Sequence, residues 1–367
     1  MNSVEFIVNR GNLRETRVVE GNADTTLADG AVRLRIDCFA LTSNNITYGA
    51  FGDAMHYWDF FPCPVEGFGR IPVWGFADVE ASTVEGVAVG ERFYGYYPMS
   101  THVVLFPDQV GKSGFVDAAP NRRELHALYN RYSRCSADAG LAREHEAQTA
   151  LLRPLFTTSF LIDDFLADND FFGATTIILS SASSKTAYGT AFCLRQRAGG
   201  SHGVKIVGLT SPSNLAFTRG LGCYDEVISY DVIASLPAST PSAYVDMSGS
   251  ASVRSDIHHH LGDALRYSCS VGGTHWTELG GGKGLPGPRP TLFFAPAQAA
   301  KRTKDWGPAE LPRRIGMAWQ AFMKPVTDAA TPWLTVVRGR GAADVEAVYR
   351  ELVDGRTNPR QGHILSL

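Results

Sequence analysis

Residues 175–197 read TTIILSSASSKTAYGTAFCLRQR. An apolar, β-branched run stops at a cluster of small polar residues, and a helical pattern follows. Small hydroxyl side chains, a lysine and the amides of a helix start are what a phosphate group needs. Two phosphate chemistries compete for the stretch. A triphosphate loop follows GxxxxGK[ST], and Lys185 and Thr186 satisfy its last two positions. Its glycines would then fall at 179 and 184, where the chain has Leu179 and Ser184. A bulky side chain stands where the backbone must turn tightly, and no acidic strand end offers itself to magnesium. A dinucleotide turn asks for less: a tight strand-to-helix connection whose amides face a pyrophosphate at the helix N-terminus. Ser181, Ala182, Ser183 and Ser184 are small, Lys185 adds positive charge, and Ala187 stands where a helix packs closely on a sheet. The segment of Ser181, Ala182, Ser183, Ser184, Lys185 and Thr186 is therefore read as a pyrophosphate turn.

The next candidate strand ends in VGLTSPSN. Folds specific for NAD place Asp or Glu here to bind the ribose 2′-hydroxyl. This chain has Thr210, Ser211, Ser213 and Asn214, with Arg219 further on. Hydroxyls can hydrogen-bond a 2′-phosphate and no carboxylate repels it, so NADP(H) is the expected cofactor. The run IHHHLG (257–262) raises metal binding. Adjacent helical positions point about 100° apart, so these histidines form no compact site and are expected on an exposed helical face.

The elements that must position these groups follow from periodicity. Residues 1 to 110 alternate and are rich in β-branched and aromatic residues, as in AVRLRIDCFAL (31–41) and GERFYGYYPMSTHVVLFP. From 121 onward NRRELHALYNRYSRC and AREHEAQTALLRPLFTTSFLIDDFLADND have helical spacing. Between 174 and 300 short apolar runs alternate with helix-like stretches, the rhythm of a parallel, doubly wound sheet. The C-terminal stretch DVEAVYRELVDGRTNPRQGHILSL reads as a helix and a last strand.

The chain has 367 residues, 44% of them hydrophobic and 19% charged, which predicts two folded domains with sizeable cores. A net charge of −3 points to neither nucleic acid nor an anionic membrane as partner. No run of apolar residues is long enough to span a bilayer, and the N-terminal stretch lacks the basic-then-apolar pattern of a secretory signal. None of the six cysteines forms a CxxC pair, so reduced thiols in a cytoplasmic protein are expected.

The order of motifs resembles the medium-chain dehydrogenase/reductase superfamily, in particular its zinc-independent quinone and enoyl reductase branches. DGAVRLRIDCFALTSNNITYG resembles the strand and following loop that open that family's active site. VEGVAVGERFYGYYPMSTHVVLFP, GLGCYDEVISYD, AYVDMSGS and the C-terminal stretch match further family segments in the same order. FFAPAQAAKRTKDWG and VGGTHW are unlike the common branches and indicate a divergent sub-family. The resemblance implies an α/β chain. A GroES-like, β-rich catalytic domain (1–150, with a C-terminal return at 325–367) would flank a Rossmann-type, NADP-binding domain (151–324), with the active site in the cleft between them. Homodimers through sheet edges are that family's habit.

The resemblance also assigns residues. Zinc-dependent members carry Cys, His and Glu where this chain has Thr42 or Ser43, then Gly75, Phe76 and Ala77, so no metal is expected. Without zinc, hydrogen-bond donors must polarise the substrate oxygen. Asn44 and Tyr48 of SNNITYG are candidates to hold that oxygen and donate a proton, with His275 as an alternative relay. Ser248, Gly249 and Phe294 would approach the cofactor. Tyr57, within the aromatic run 54–62, and Trp276 would line the pocket of a small apolar or aromatic substrate. The expected function is NADP(H)-dependent reduction of a carbonyl or an activated C=C bond. A lyase on the same fold and a non-catalytic NADP-binding sensor are the alternatives.

Overall fold

The computed structural model describes residues 2–198, 203–271, 284–330 and 332–367. It divides into two compact units, Met1–Leu152 with Thr335–Leu367, and Arg153–Leu334. No helix among the described residues is long and apolar enough to cross a membrane.

The first unit is mostly β. Strands β1 (Asn2–Asn9) and β2 (Asn12–Asn22) form a hairpin. The alternating β3 (Val32–Leu41) buries Val32, Leu34 and Ile36. A short β4 (Phe68–Gly69) completes a three-stranded sheet with the hairpin. β5 (Pro72–Ser82) and β6 (Arg92–Pro98) continue the large sheet from β3. β7 (His102–Leu105), β8 (Pro107–Gly111), β9 (Gly114–Asp117) and β10 (Arg131–Arg134) follow. The C-terminal strand Gln361–Ser366 pairs with β3 and bonds in parallel to Thr335–Arg340, which brings the large sheet to nine strands. Close pairing of β3 and β5 requires Gly75, because a Cβ there would come within 2.2 Å of the Cys38 carbonyl.

Two segments of the first unit differ from the sequence expectation. SNNITYG is not a loop but helix α1 (Ser43–Ala50). Thr42 and Asn45 form a reciprocal cap at its start, with the Thr42 amide donating to Asn45 Oδ1 at 2.8 Å. Residues 121–135 are not a helix. They make two 3-10 turns, Pro120–Arg122 and Ala127–Tyr129, before β10 and another after it. The cause is Arg122, a fully buried guanidinium. It donates to Asn130 Oδ1 at 2.9 Å, Asp117 Oδ2 at 3.0 Å, the Tyr132 hydroxyl at 2.8 Å and the Tyr129 carbonyl at 2.6 Å. A helix would string residues 122 to 132 over about 15 Å and leave a buried cation without these acceptors.

The second unit starts within α2 (Glu146–Asp168). β11 (Thr176–Leu179) leads into α3 (Lys185–Ala198), and β12 (Lys205–Thr210) into α4 (Leu215–Gly220). β13 (Glu226–Ser229), β14 (Ser242–Asp246), α5 (Ala251–Leu261), β15 (Leu265–Ser270) and β16 (Thr291–Leu292) follow. The sheet order is β13-β12-β11-β14-β15-β16 and every neighbouring pair is parallel. Counted within the unit this is 3-2-1-4-5-6, the doubly wound order of dinucleotide-binding sheets. Its central strands are apolar on both faces, as burial under helices demands. Ile178, Val207, Leu209 and Tyr244 pack with Ile257 and Leu261 of α5.

The histidine run on α5 is not uniformly exposed. His258 is fully buried, with Nδ1 donating to the Pro286 carbonyl at 2.8 Å and Nε2 facing Ser268 Oγ at 2.9 Å. Burial lowers its pKa and keeps the ring neutral. His259 faces solvent, and His260 donates to the Leu236 carbonyl. The three rings serve different partners, in agreement with their angular spread.

Arg122→Met should cost the first unit about 3–5 kcal/mol, because Asp117 would keep its burial and lose its cation. Urea denaturation followed by tryptophan fluorescence measures this, and an unchanged midpoint would contradict the assignment.

Candidate functional site

The turn between β11 and α3 sits where the sheet order reverses. Such a switch point is where doubly wound sheets bind ligands, beyond the carboxyl ends of the strands. Ser181 lies in the left-handed region at φ 49°, the conformation a glycine fingerprint would supply. Its amide donates to the Tyr230 hydroxyl at 2.8 Å, and its carbonyl accepts from the Ser184 amide at 2.7 Å. Ser184 Oγ then accepts the Ala187 amide at 3.2 Å, a cap for the first turn of α3.

Ala182 points the other way. It is fully buried, its amide donates to the Leu209 carbonyl at 2.9 Å, and its carbonyl accepts the Tyr224 hydroxyl at 2.8 Å. A Cβ on Gly208 would approach the Ala182 methyl to 2.9 Å. Ala182 thus holds the turn against β12 rather than presenting a face to a phosphate. Tyr224 and Tyr230 were not singled out from the sequence. They lie in GLGCYDEVISYD, and their role appears only once β12 and β13 flank the turn.

The polar groups left at this end of the sheet converge. Ser183 Oγ accepts from Thr210 Oγ1 at 3.4 Å and from Asn214 Nδ2 at 3.3 Å. Thr210 is buried, whereas Ser211 is half-exposed and hydrogen-bonds Ser213 at 3.1 Å. Arg219 is exposed and donates to the Val227 carbonyl. Lys185 and Thr186 open α3, where the helix dipole favours an anion. Burial lowers the Lys185 pKa to about 8.

Beneath the turn lies a buried carboxylate, Asp246 at the end of β14. Its Oδ1 accepts from the Ser180 hydroxyl (2.9 Å), the Ser248 hydroxyl (2.9 Å) and the Ser248 and Gly249 amides (3.1 and 3.0 Å). Its Oδ2 accepts from Arg254 at 3.0 Å. Ser180 Oγ in turn accepts the Met247 and Ser248 amides. Ser248 and Gly249 are therefore committed to shaping the strand end. Phe294 is exposed at the start of the helix Ala295–Trp306. His275 and Trp276 lie outside the described residues.

In the first unit the structure brings together aromatic residues far apart in sequence. Tyr48 of α1 packs on Tyr57 (ring centroids 4.5 Å), Tyr96 of β6 (5.8 Å) and Tyr129 (6.4 Å). Trp74 of β5 lies 5.0 Å from Tyr96 and 6.1 Å from Tyr129. The Tyr57 and Tyr129 hydroxyls are 3.3 Å apart. Burial pushes the phenol pKa of Tyr48, Tyr57, Tyr96 and Tyr129 upward, so all four act as neutral O–H groups. Asn44 is half-buried in the first turn of α1, whereas Asn45 is spent on the α1 cap and on the Pro72 carbonyl. Tyr96, Tyr129 and Trp74 were not named from the sequence. Only the sheet register selects Tyr96 to meet Tyr48.

Thr42 caps α1 and Gly75 lies under the Cys38 carbonyl, so neither offers a metal ligand. Asp37, Cys38 and Glu146 gather their ligand atoms among the described residues. The Arg92 guanidinium occupies that group, at 2.6 Å from Asp37 and 2.7 Å from Glu146. Burial also raises the Cys38 thiol to about 11, which keeps it protonated.

Comparison with known proteins adds the following. The model of a family described as "Protein of unknown function (DUF2855)" matches residues 39–358. No curated protein matches the chain in sequence. Among solved structures, CurA from Vibrio vulnificus is 14% identical with a TM-score of 0.61, covering 100% of this chain and 98% of that one. The same protein in complex with NADPH is 15% identical with a TM-score of 0.60, covering 99% and 98%. The yhdH oxidoreductase from Salmonella enterica in complex with NADP is 12% identical with a TM-score of 0.53, covering 100% of both chains. The likeness establishes the fold: a GroES-like β unit and a Rossmann unit.

The placement of Ala182 yields a test. Ala182→Leu should destabilise the second unit by about 1–3 kcal/mol through overpacking against Gly208 and Tyr224. A full-length variant with unaltered thermal unfolding would show that the side chain has room.

Proposed function

The chain belongs to the DUF2855 family, and from its fold we propose an NADP(H)-dependent oxidoreductase that reduces a carbonyl or activated C=C bond without zinc. The substrate is small and apolar or aromatic. The observation that carries the reading is the turn at the switch point. Ser181 makes the tight bend, α3 starts at Lys185, and Ser183, Thr210 and Asn214 converge. CurA and yhdH, which share the fold, are known in complex with NADPH and NADP.

Bound NADPH would supply the hydride. The chain does the rest. The first amides of α3 and the Lys185 ammonium hold the pyrophosphate. Ser183, Asn214 and Ser211 would take the 2′-phosphate. Asn44 holds the substrate oxygen, and the Tyr48 hydroxyl donates the proton while Tyr57 forms part of the wall. A neutral phenol suits this task, because it stays protonated at working pH and can still stabilise a developing negative oxygen. The reading extends to a cytoplasmic location and to a homodimer, the latter supported by the exposed Leu292 on the edge strand β16.

Fluorescence titration should show NADPH binding at least about tenfold tighter than NADH, or about 1.4 kcal/mol. Ser211→Asp should remove that preference by placing a carboxylate beside the phosphate. Thr210 is less suitable for the substitution because it is buried. Equal affinities in the wild type would refute the NADP assignment. NADPH consumption over a panel of enals, quinones and aldehydes then tests catalysis, and tight binding without turnover on any of them would favour the sensor.

Affinity should also depend on pH. Lys185 is charged below its pKa of about 8 and loses its proton above it, so NADPH binding should weaken from pH 7 to pH 9. Lys185→Met should bind more weakly at pH 7 and lack that dependence. A flat wild-type profile would remove Lys185 from the site.

A further inference from the structure

In the first unit two buried donors stand side by side without a partner. Trp74 of β5 and Tyr96 of β6 are directly paired across the sheet, so their side chains share one face, and their rings lie 5.0 Å apart. Trp74 Nε1 and the Tyr96 hydroxyl are closed to solvent, and neither has a hydrogen-bond partner among the described residues. Other buried phenols of this unit are in use. Tyr97 donates to the Phe93 carbonyl at 3.0 Å, Tyr132 to the Tyr96 carbonyl at 2.6 Å and Tyr349 to the Leu13 carbonyl at 2.9 Å. The Tyr57 and Tyr129 hydroxyls meet each other at 3.3 Å. A buried donor without an acceptor is costly, and an indole N–H can only donate. Two such donors on paired positions call for an acceptor from outside the chain. The surroundings define its chemistry. The rings of Tyr48, Phe60 and Tyr129 lie 5.8, 5.3 and 4.9 Å from Tyr96, and Tyr94 stacks on Trp74 at 5.5 Å. Arg122, over the Phe60 ring, spends its donors on Asp117, Asn130, Tyr132 and the Tyr129 carbonyl, so it offers nothing to an anionic ligand. A neutral carbonyl oxygen has two lone pairs for two neutral donors. Trp74 and Tyr129 are only half-buried, so the cluster reaches solvent along their rings, which suit a flat aromatic partner.

We propose that Trp74 Nε1 and the Tyr96 hydroxyl together bind the carbonyl oxygen of an aromatic ketone, aldehyde or quinone, adding two buried donors to the Asn44 amide already assigned to it. That the ligand is then reduced rests on the oxidoreductase reading. Its binding needs the first unit alone, with no nucleotide present.

The test titrates the full-length, nitrogen-15-labelled protein, free of nucleotide, with 1-indanone and with indane, the same ring system without the oxygen. The chain has six tryptophans, and the resonance missing from Trp74→Phe identifies the Trp74 Nε1–H. Trp74→Tyr serves the same purpose should the first variant not fold. 1-Indanone should move that resonance downfield to saturation, and indane should leave it in place. Tyr96→Phe keeps the ring and should weaken 1-indanone binding about three- to tenfold. The same variant should unfold at the wild-type temperature or above, because the hydroxyl it removes makes no bond in the free protein. The subsite is wrong if neither compound moves the resonance or both move it alike. It is also wrong if a long-lived water stays on Trp74 Nε1 at saturating ketone, or if Tyr96→Phe binds as tightly as the wild type. If 1-indanone binds with the expected shift but no aromatic carbonyl compound is reduced by NADPH, the reductase reading fails and the subsite stands.

Discussion

The Asp246 carboxylate sets the geometry of the turn between β11 and α3. It is buried at the end of β14 and accepts from Ser180 at the end of β11, from the Ser248 hydroxyl, from two amides and from Arg254. A carboxylate away from water must be paired and hydrogen-bonded, and this one accepts on both oxygens. Its bonds tie together the ends of the two strands between which the sheet order reverses. The backbone after Ser180 must leave that tie sharply, and Ser181 does so in the left-handed region. From there the Ser184 cap, the start of α3 and the positions of Lys185 and Ser183 follow.

Arg122 does the corresponding work in the first unit. One buried guanidinium collects Asp117, Asn130, Tyr132 and the Tyr129 carbonyl, and packs 4.9 and 5.3 Å from the Phe61 and Phe60 rings. Chain 117–132 is thereby wrapped around a point beside the aromatic run 57–61. Tyr57 and Tyr129 face each other for that reason, and β6 adds Tyr96 from another direction. In both units a buried charge shapes the backbone, and the shaped backbone carries the candidate-site groups.

Much of this fold is legible in sequence where short-range periodicity decides conformation. The strands at 32–41, 176–179 and 205–210 and the helices at 146–168 and 185–198 lie where apolar spacing puts them. Failures occur where a distant partner overrules local spacing. Residues 121–135 have helical spacing, but Arg122 needs acceptors on both sides of a turn. His258 reads as surface, yet Pro286 and Ser268 satisfy both its nitrogens in the core. SNNITYG has the polar composition of a loop, and the reciprocal cap of Thr42 and Asn45 makes it a helix.

For the candidate site the division is similar. The sequence alone determined the residue types: small side chains at 181–184, a lysine at the helix start, hydroxyls and no acid after the second strand. Those features are local, because a tight strand-to-helix turn excludes bulk and a helix N-terminus attracts anions wherever it occurs. Only the tertiary structure decided that Ala182 faces inward while Ser183 meets Thr210 and Asn214. It also decided that Tyr48, Tyr57, Trp74, Tyr96 and Tyr129 form one cluster. Such encounters depend on strand register and on the satisfaction of buried polar groups. Neither leaves a trace in the spacing of neighbouring residues, because the partners come from elements many residues apart.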